Sequence, residues 1–286
     1  MSDAAPIRRP DSVRPRGGRP EEEWQPPSVA ELQLIERQLA LLPRFSGASS
    51  EQRPDLDALL VSLPGRGPGY NFAACLRWPE EHAEARLEAL GRLFVERGEW
   101  PALVLAEGLS EPPGIVGLLA TRGWVELERE RIHVVRERPT VPHLGPSLRL
   151  EAATGRSAHE VQQVEQQVFG LAERFTAARI EHLARNLEAG TLRAYLLRLD
   201  GVVVASARLS AQDGLAAISG VGVLPEQRNQ GFASLITAVA TRAGLAMGNR
   251  LVWLSVDERN EPALKVYRRL GYRPSFGWAR WAASAR

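Results

Sequence analysis

A polar loop separates the apolar strand pattern Leu215 to Val223 from an amphipathic helix, and its residues suit the binding of phosphate. At such a strand–loop–helix junction, free backbone N–H groups and the positive end of the helix dipole attract anions. Gly231 and Ala233 carry little or no side chain, so a ligand can approach the backbone there. Arg228 adds a permanent positive charge. The junction therefore indicates a phosphate-binding site.

The segment Arg228-x-x-Gly231-x-Ala233 resembles the cofactor motif Arg/Gln-x-x-Gly-x-Gly/Ala of the GNAT superfamily of N-acetyltransferases. A second segment, Asn260-Glu-Pro-Ala-Leu-Lys-Val-Tyr-Arg-Arg-Leu-Gly-Tyr272, resembles the family's run Asn-x-x-Ala-x-x-x-Tyr-x-x-x-Gly-Phe/Tyr. Both segments occur in the family's order and spacing. The resemblance implies a GNAT fold for the C-terminal half and a loop that wraps the pyrophosphate of acetyl-CoA.

The resemblance divides the cofactor site into a strand and a loop. In the family, free backbone groups of the motif strand pair with the pantetheine arm, and the loop with the first helical turn holds the diphosphate. The residues implied to bind acetyl-CoA are Val221, Gly222, Val223, Arg228, Asn229, Gln230, Gly231, Phe232, Ala233, Ser234, Asn260 and Tyr267. The valine side chains are also typical of a core, and asparagine is a common helix cap, so these residues can serve both purposes.

Acetyl transfer from a thioester to an amine needs a proton donor for the leaving thiolate and a neutral attacking amine. Tyr267 is the predicted acid, because a phenol with a reference pKa of about 10 stays protonated at neutral pH. The resemblance gives Tyr267 the same role. The alternative is a packing tyrosine on an amphipathic helix, since Leu264 and Leu270 flank it.

The general base is harder to assign. Many family members carry a glutamate on the motif strand, but Ala216 to Ser219 contains no carboxylate. The remaining candidates, each of which is also a typical solvated charge, are Asp213, Glu173, Asp257 and Glu258. We expect Glu258 to act as the base, because it follows the strand beside the cleft. An amine that arrives partly neutral needs no dedicated base.

The two halves of the chain repeat the same order of strands and helices. Gly123-Trp124 lies 148 positions before Gly271-Tyr272, which favours a diverged duplication. The predicted fold is α/β (mixed α+β), with two tandem GNAT-like acyl-CoA N-acyltransferase domains, each a central mixed sheet flanked by helices. The layout resembles that of mycothiol synthase-like acetyltransferases. The predicted divisions are residues 1–27 as a disordered tail, 28–138 as a degenerate domain, 139–147 as a linker and 148–286 as the catalytic domain.

At the same offset, the first half lacks the cofactor motif. Glu80 takes the position of Arg228 and would repel phosphate. The other motif residues Gly231, Asn260 and Tyr267 are replaced by Ala83, Pro112 and Leu119. We therefore expect the first half to keep the fold without a cofactor site.

Composition narrows the class of protein further. A net charge of +2 over 286 residues is too small to indicate nucleic acid, and no apolar run approaches the ~20 residues that cross a bilayer. The single cysteine fits a reducing cytoplasm. No cluster of histidine, cysteine and aspartate has metal-ligand spacing. We expect a cytoplasmic monomer or homodimer of a bacterial type, without metal, nucleic-acid or membrane partners.

The predicted function is that of an acetyl-CoA-dependent N-acetyltransferase that moves an acetyl group directly to the amine of a small molecule or peptide. The alternative from a different class is a non-catalytic acyl-CoA-binding or regulatory module, which the missing strand glutamate favours and Tyr267 opposes. A third interpretation is an acyltransferase that uses a longer acyl group.

Overall fold

A mixed sheet of eleven strands runs through residues 24–170 and 177–284, the part of the chain that the computed structural model describes. The first half contributes α1 (Val29–Leu41), β1 (Ser49–Arg53), β2 (Ala58–Ser62), β3 (Phe72–Ala74), α2 (Ala83–Glu96), β4 (Ala102–Ala106), α3 (Ile115–Thr121) and β5 (Trp124–Val135). The second half contributes β6 (Leu148–Ala152), α4 (Ala158–Phe169), α5 (Ala177–Glu188), β7 (Arg193–Leu199), β8 (Val202–Gln212), β9 (Leu215–Val223), α6 (Phe232–Ala246), β10 (Leu251–Val256), α7 (Glu261–Arg269) and β11 (Arg273–Ala283).

Helices pack on both faces of this sheet. Alternate residues of β4 enter different cores: Val104 packs with α1, and Leu103 packs with α2 and α3. Alternate residues of β9 do the same, since Ile218 packs with α6 and α7, and Ala217 with α1. Because β4 and most of β9 and β10 are buried on both faces, these strands appear in the sequence as nearly continuous apolar runs.

Local sequence signals account for several element boundaries. Ser28 caps α1: its Oγ accepts from the Glu31 backbone N–H at 3.3 Å, and its own N–H donates to the Glu31 carboxylate at 2.9 Å. Such a box stabilises a helix start by about 1 kcal/mol. Aspartate–glycine pairs, which favour tight hairpin turns, connect β7 to β8 at Asp200-Gly201 and β8 to β9 at Asp213-Gly214. All four of their residues have positive φ, which suits two-residue hairpin loops.

Other boundaries differ from the prediction. The apolar run from Asn71 to Trp78 favours a longer strand than β3, which ends at Ala74 because Cys75 adopts a left-handed φ of 55°. Strand β1 gives no alternating signal in the sequence, since its residues are polar and mostly exposed. A helical pattern from Arg174 begins outside the described residues, and residues 1–23 of the predicted tail also lie outside them. No described helix is both long and apolar enough to span a membrane.

The last strand of each half pairs with the other half. The strand order is β1-β2-β3-β4-β11-β5-β10-β9-β8-β7-β6, so β11 pairs with β4, and β5 pairs with β10. Both pairings are antiparallel, as is the pairing of β5 with β11 between them. The two halves therefore share one continuous sheet, and the predicted linker 139–147 divides the chain without dividing the sheet.

The pairing of β5 with β11 is symmetric about one residue pair. Trp278 lies opposite Glu130, 148 positions earlier, and Gly277 lies opposite Arg131 as Ala279 lies opposite Arg129. These are the positions that the predicted repeat makes equivalent. An internal two-fold axis therefore passes through the pair Glu130–Trp278.

We expect the two halves to fold poorly apart and well together. Residues 1–138 alone would expose one edge of β4, and residues 148–286 alone would expose one edge of β10, and both strands are almost wholly buried. Co-expressed halves should elute as one particle with the circular dichroism of the intact chain. The control is the full chain cut within 139–147, which should stay associated. A folded monomer from residues 148–286 with the intact chain's melting temperature would contradict this expectation.

Candidate functional site

The parallel strands β9 and β10 separate part of the way along the sheet. They pair only from Leu215 with Leu251 to Ile218 with Leu254. Beyond that point β9 continues against β8 to Val223, and β10 continues against β5 to Val256. The facing edges of 219–223 and 255–256 thus form no ladder with each other. Their N–H and C=O groups are available to an extended ligand, in the manner of an added strand.

A bulge in β9 accompanies this separation. Gly222 pairs with Ser206 and Ser219 pairs with Arg208, so two residues of β9, Gly220 and Val221, lie opposite one residue of β8. Such a bulge bends and twists its strand. Gly220 has a left-handed φ of 60°, and a Cβ there would lie 2.7 Å from Glu165 Oε1. Only glycine suits that position, for both reasons.

A buried ion pair lies behind the bulge. Arg208 of β8 donates through Nη2 to Glu165 Oε2 of α4 at 2.5 Å, and both side chains are buried. Burial raises the pKa of Glu165, whereas the charges of Arg208 and Arg179 lower it. The pair joins α4 to the bulged part of the sheet. It therefore holds the segment where β9 leaves β10.

A cavity of about 660 Å³ opens where the strands separate, and both halves of the chain line it. The second half contributes both strand edges, through residues such as Ser219, Val221 and Ser255, together with Asn260 and Tyr267. The first half contributes aromatic and acidic side chains, among them Tyr70, Phe72, Glu128 and Glu130. Strand β11 of the second half, which pairs with β4 of the first half, adds Trp278 and Arg280. The site is consequently a joint product of the two halves.

Tyr267, the predicted acid, lies in this cavity. Its side chain is buried, and its ring lies 5.9 Å from that of Tyr272, whose hydroxyl is 2.8 Å from Thr241 Oγ1. Burial, followed by the negative charge of Glu130, raises the pKa of Tyr267 to about 12. The phenol therefore keeps its proton throughout the neutral and mildly alkaline range.

Asn260 lines the same cavity and also caps α7. Its Oδ1 accepts from the Ala263 backbone N–H at 3.2 Å. The capping role that the sequence left open is thus present, and the residue still lines the cavity beside Tyr267.

The predicted phosphate loop follows the end of β9. Gly231 is the N-cap of α6, with φ of 82° and open space around the position of a Cβ, and no described side chain caps the helix. The first backbone N–H groups of the helix therefore lack intrahelical acceptors. These groups belong to Phe232, Ala233 and Ser234, and the exposed residues that precede them are Arg228, Asn229 and Gln230. Arg228 Nε donates to the Val223 carbonyl at 3.4 Å, which connects the loop to the strand.

The structure does not bring Glu258, the predicted base, into the cavity. Glu258 is exposed and forms an ion pair with Arg131 on the far side of β10 from β9. Asp257 does line the cavity, but hydrogen bonds from Arg259 lower its pKa to about 2, which makes it a weak base. Asp213 lies in the turn before β9, at the opposite end of that strand, and Glu173 lies outside the described residues. None of the three described candidates, Asp213, Asp257 and Glu258, therefore combines position with basicity.

Glu130 is the cavity carboxylate that the sequence did not reveal. It lies on β5 of the first half and lines the cavity together with Ser255 of β10. Burial, assisted by the charges of Glu128 and Asp257, raises the pKa of Glu130, and Ser255 and Arg280 oppose that rise. Its only signal in the sequence is a period-two run of glutamates at 126, 128 and 130, which is typical of an exposed strand face. The pairing of β5 with β10 of the second half brings Glu130 to the site.

We expect the buried pair behind the bulge to be essential for stability. Glu165→Ala should lower the free energy of unfolding by about 3–5 kcal/mol, because Arg208 is left buried without its partner. Glu165→Met with Arg208→Met should recover much of that loss. The control is Glu181→Ala, which removes an exposed pair with Arg185 and should cost no more than ~0.5 kcal/mol. Urea unfolding measures all three, and equal losses for Glu165→Ala and Glu181→Ala would contradict the expectation.

Residues 158–272 match the sequence profile of the Acetyltransferase (GNAT) family. A search of curated proteins finds no match. Among solved structures, a GCN5-related N-acetyltransferase from Kribbella flavida is 21% identical with a TM-score of 0.66, covering 88% of this chain and 96% of that one. A GCN5-related N-acetyltransferase from Sphaerobacter thermophilus is 16% identical with a TM-score of 0.60, covering 90% and 94%. A tandem GNAT protein from the clavulanic acid biosynthesis pathway is 19% identical with a TM-score of 0.59, covering 90% of each chain. The mixed α/β fold of the whole chain is therefore that of tandem GNAT proteins.

Proposed function

We propose that this chain, whose residues 158–272 form a domain of the GNAT acetyltransferase family, transfers an acetyl group from acetyl-CoA to the amine of a small molecule or peptide. The family profile supports acyl transfer from a CoA thioester. One observation supports this site for the reaction. The gap between β9 and β10 opens into the cavity that holds Tyr267, and the strand β9 along it leads to the uncapped start of α6.

The described residues fit the parts of acetyl-CoA. The unpaired edge of 219–223 offers alternating donors and acceptors to the amides of a pantetheine arm. The free N–H groups from Phe232 to Ser234 and the guanidinium of Arg228 suit a diphosphate. The open space at Gly231 allows a ligand to approach the backbone. When bound, acetyl-CoA would supply the thioester carbonyl for transfer.

Tyr267 is suited to act as the acid of the reaction. Its phenol is protonated up to a pH of about 12, so it can give a proton to a leaving thiolate at neutral pH. The cavity wall around it is largely buried and apolar, which strengthens a hydrogen bond to a developing negative charge.

We further propose that the first half binds no cofactor. Leu119, which takes the position of Tyr267 at the 148-residue offset, is fully buried in a core with Trp78. Glu80 precedes α2 where the motif has Arg228. The burial of Leu119 supports a packing role there, and the negative charge of Glu80 would repel a diphosphate.

We expect Tyr267→Phe to lower turnover by ~10²-fold or more with little change in affinity for acetyl-CoA, because only the proton donor is lost. Thiol release is measured with acetyl-CoA and a panel of amines: an aliphatic diamine, an aromatic monoamine and a lysine-containing peptide. The control is Tyr195→Phe, which alters another buried tyrosine outside the cavity. Wild-type turnover in Tyr267→Phe would remove Tyr267 from the mechanism. Binding of acetyl-CoA by the wild type with no turnover would favour the non-catalytic module.

A bulky side chain at Gly231 should weaken the binding of acetyl-CoA. We expect Gly231→Val to raise the calorimetric Kd at least ~10-fold, because losing hydrogen bonds to a charged group costs ~1.5–3 kcal/mol. The control is Gly248→Val, just after α6, where φ is 86° and no atom lies within 4 Å of the Cβ position either. Both variants carry the same backbone strain, so equal effects on Kd would show that the loop does not hold the cofactor.

A further inference from the structure

Three carboxylates line the cavity beside Tyr267, and two of them are engaged by arginines. Glu128 accepts from Arg280 Nε at 3.0 Å. Asp257 accepts from Arg259 through both of its oxygens, at 3.0 and 2.7 Å. Glu130 is the third, and within the described residues no arginine lies within ion-pair distance of it. Its carboxylate is therefore the one available to a ligand.

We propose that Glu130 is the general base of the reaction, so that the first half supplies a catalytic residue to the second through its exchanged strand. This inference rests on the proposed function, since it requires acetyl transfer to an amine in this cavity. It assigns a chemical role to the half that lacks the cofactor motif.

The sheet places this carboxylate beside the gap. Ser255 lies opposite Ile132 of β5, two residues from Glu130, and both Ser255 and Glu130 line the cavity. Trp278 Nε1 donates to Ser255 Oγ at 2.6 Å, which leaves the single Ser255 proton for another acceptor. Ser255 is the first residue of β10 beyond its pairing with β9. Glu130 therefore lies beside the gap where a pantetheine arm would lie.

The charges around Glu130 favour the role of a base. Glu128 on its own strand and Asp257 after β10 raise its pKa, as does burial, whereas Arg280 on β11 lowers it. Tyr267 on α7 is neutral and interacts with the Glu130 charge. A carboxylate with a raised pKa accepts a proton from an ammonium group more readily than an ordinary one.

The proton and bond changes balance without another reactant. Glu130 takes one proton from the acceptor ammonium, and the neutral nitrogen attacks the thioester carbonyl carbon to form a C–N bond. The C–S bond breaks, the sulfur leaves with its electron pair, and the Tyr267 phenol protonates it. The phenolate of Tyr267 then takes the second nitrogen proton, and Glu130 releases the first to solvent. The products are an amide, CoA thiol and one proton.

The test compares Glu130→Gln with Glu126→Gln in the full chain. Glu126 lies on the same strand, pairs with Arg129 and does not line the cavity. Thiol release with acetyl-CoA and the same amine panel is followed from pH 4.5 to 9, with the Kd for acetyl-CoA from calorimetry. We expect kcat/KM to fall by ~10²-fold or more in Glu130→Gln, with an unchanged Kd and with Glu126→Gln like the wild type.

The pH profile separates a base from a structural residue. Glu130 is inactive when protonated, so wild-type kcat/KM should rise with pH as the carboxyl ionises, and that rise should be absent in Glu130→Gln. Ser255 lowers the pKa of Glu130, so Ser255→Ala should move the rise to higher pH. This second variant decides the matter if Glu130→Gln does not fold.

Each remaining outcome overturns a different statement. Wild-type turnover and pH profile in Glu130→Gln, or an unmoved profile in Ser255→Ala, would overturn the role of Glu130 and leave the proposed function intact. Loss of turnover in Glu258→Gln alone would give the role of base to Glu258. A wild type that releases no thiol with any amine of the panel would overturn the proposed function, and this inference with it.

Discussion

The exchange of β5 and β11 is the constraint on which the rest of the structure depends. Neither half can complete its own sheet, because the strand that each needs beside β4 or β10 belongs to the other. A buried strand with an unpaired edge loses several backbone hydrogen bonds in an apolar setting, where they are costly to leave unmade. The exchange satisfies both edges at once. It also places one wall of the cavity on each half.

The position of the cavity follows from a conflict within the second half. Strand β10 continues in its pairing with β5, whereas the bulge at Gly220 and Val221 bends β9, which continues in its pairing with β8. Strands β9 and β10 therefore cannot stay paired with each other while each keeps its outer partner. The gap between them is thus a consequence of the sheet's geometry, stabilised from behind by the Arg208–Glu165 pair. A preformed gap spares a ligand the cost of opening the sheet.

Local features of the fold were predictable from the sequence, and long-range ones were not. The helix start at Phe232, the capped helix at Ser28 and the aspartate–glycine hairpins depend on a few neighbouring residues. Strand β5 pairs with β10 and with β11, which lies about 150 residues away along the chain. The alternating pattern of β5 would fit the sheet of either half. For the same reason the sequence gives no indication that Glu130 reaches the cavity. It favours Glu258 as the base, because Glu258 follows β10 directly along the chain. Adjacency in sequence favoured Glu258, but its loop directs it to Arg131.

The placement of β11 has a consequence for the protein's synthesis. It is the last strand of the sheet to be translated, yet it lies between β4 and β5, in the interior of the sheet. While the ribosome synthesises the second half, one edge of β4 stays unpaired, because its partner β11 has not yet been made. Domains of multidomain chains ordinarily fold one after another as they emerge. Here the nascent first half lacks the partner of β4 until β11 is synthesised, and an unpaired edge of a buried strand favours aggregation.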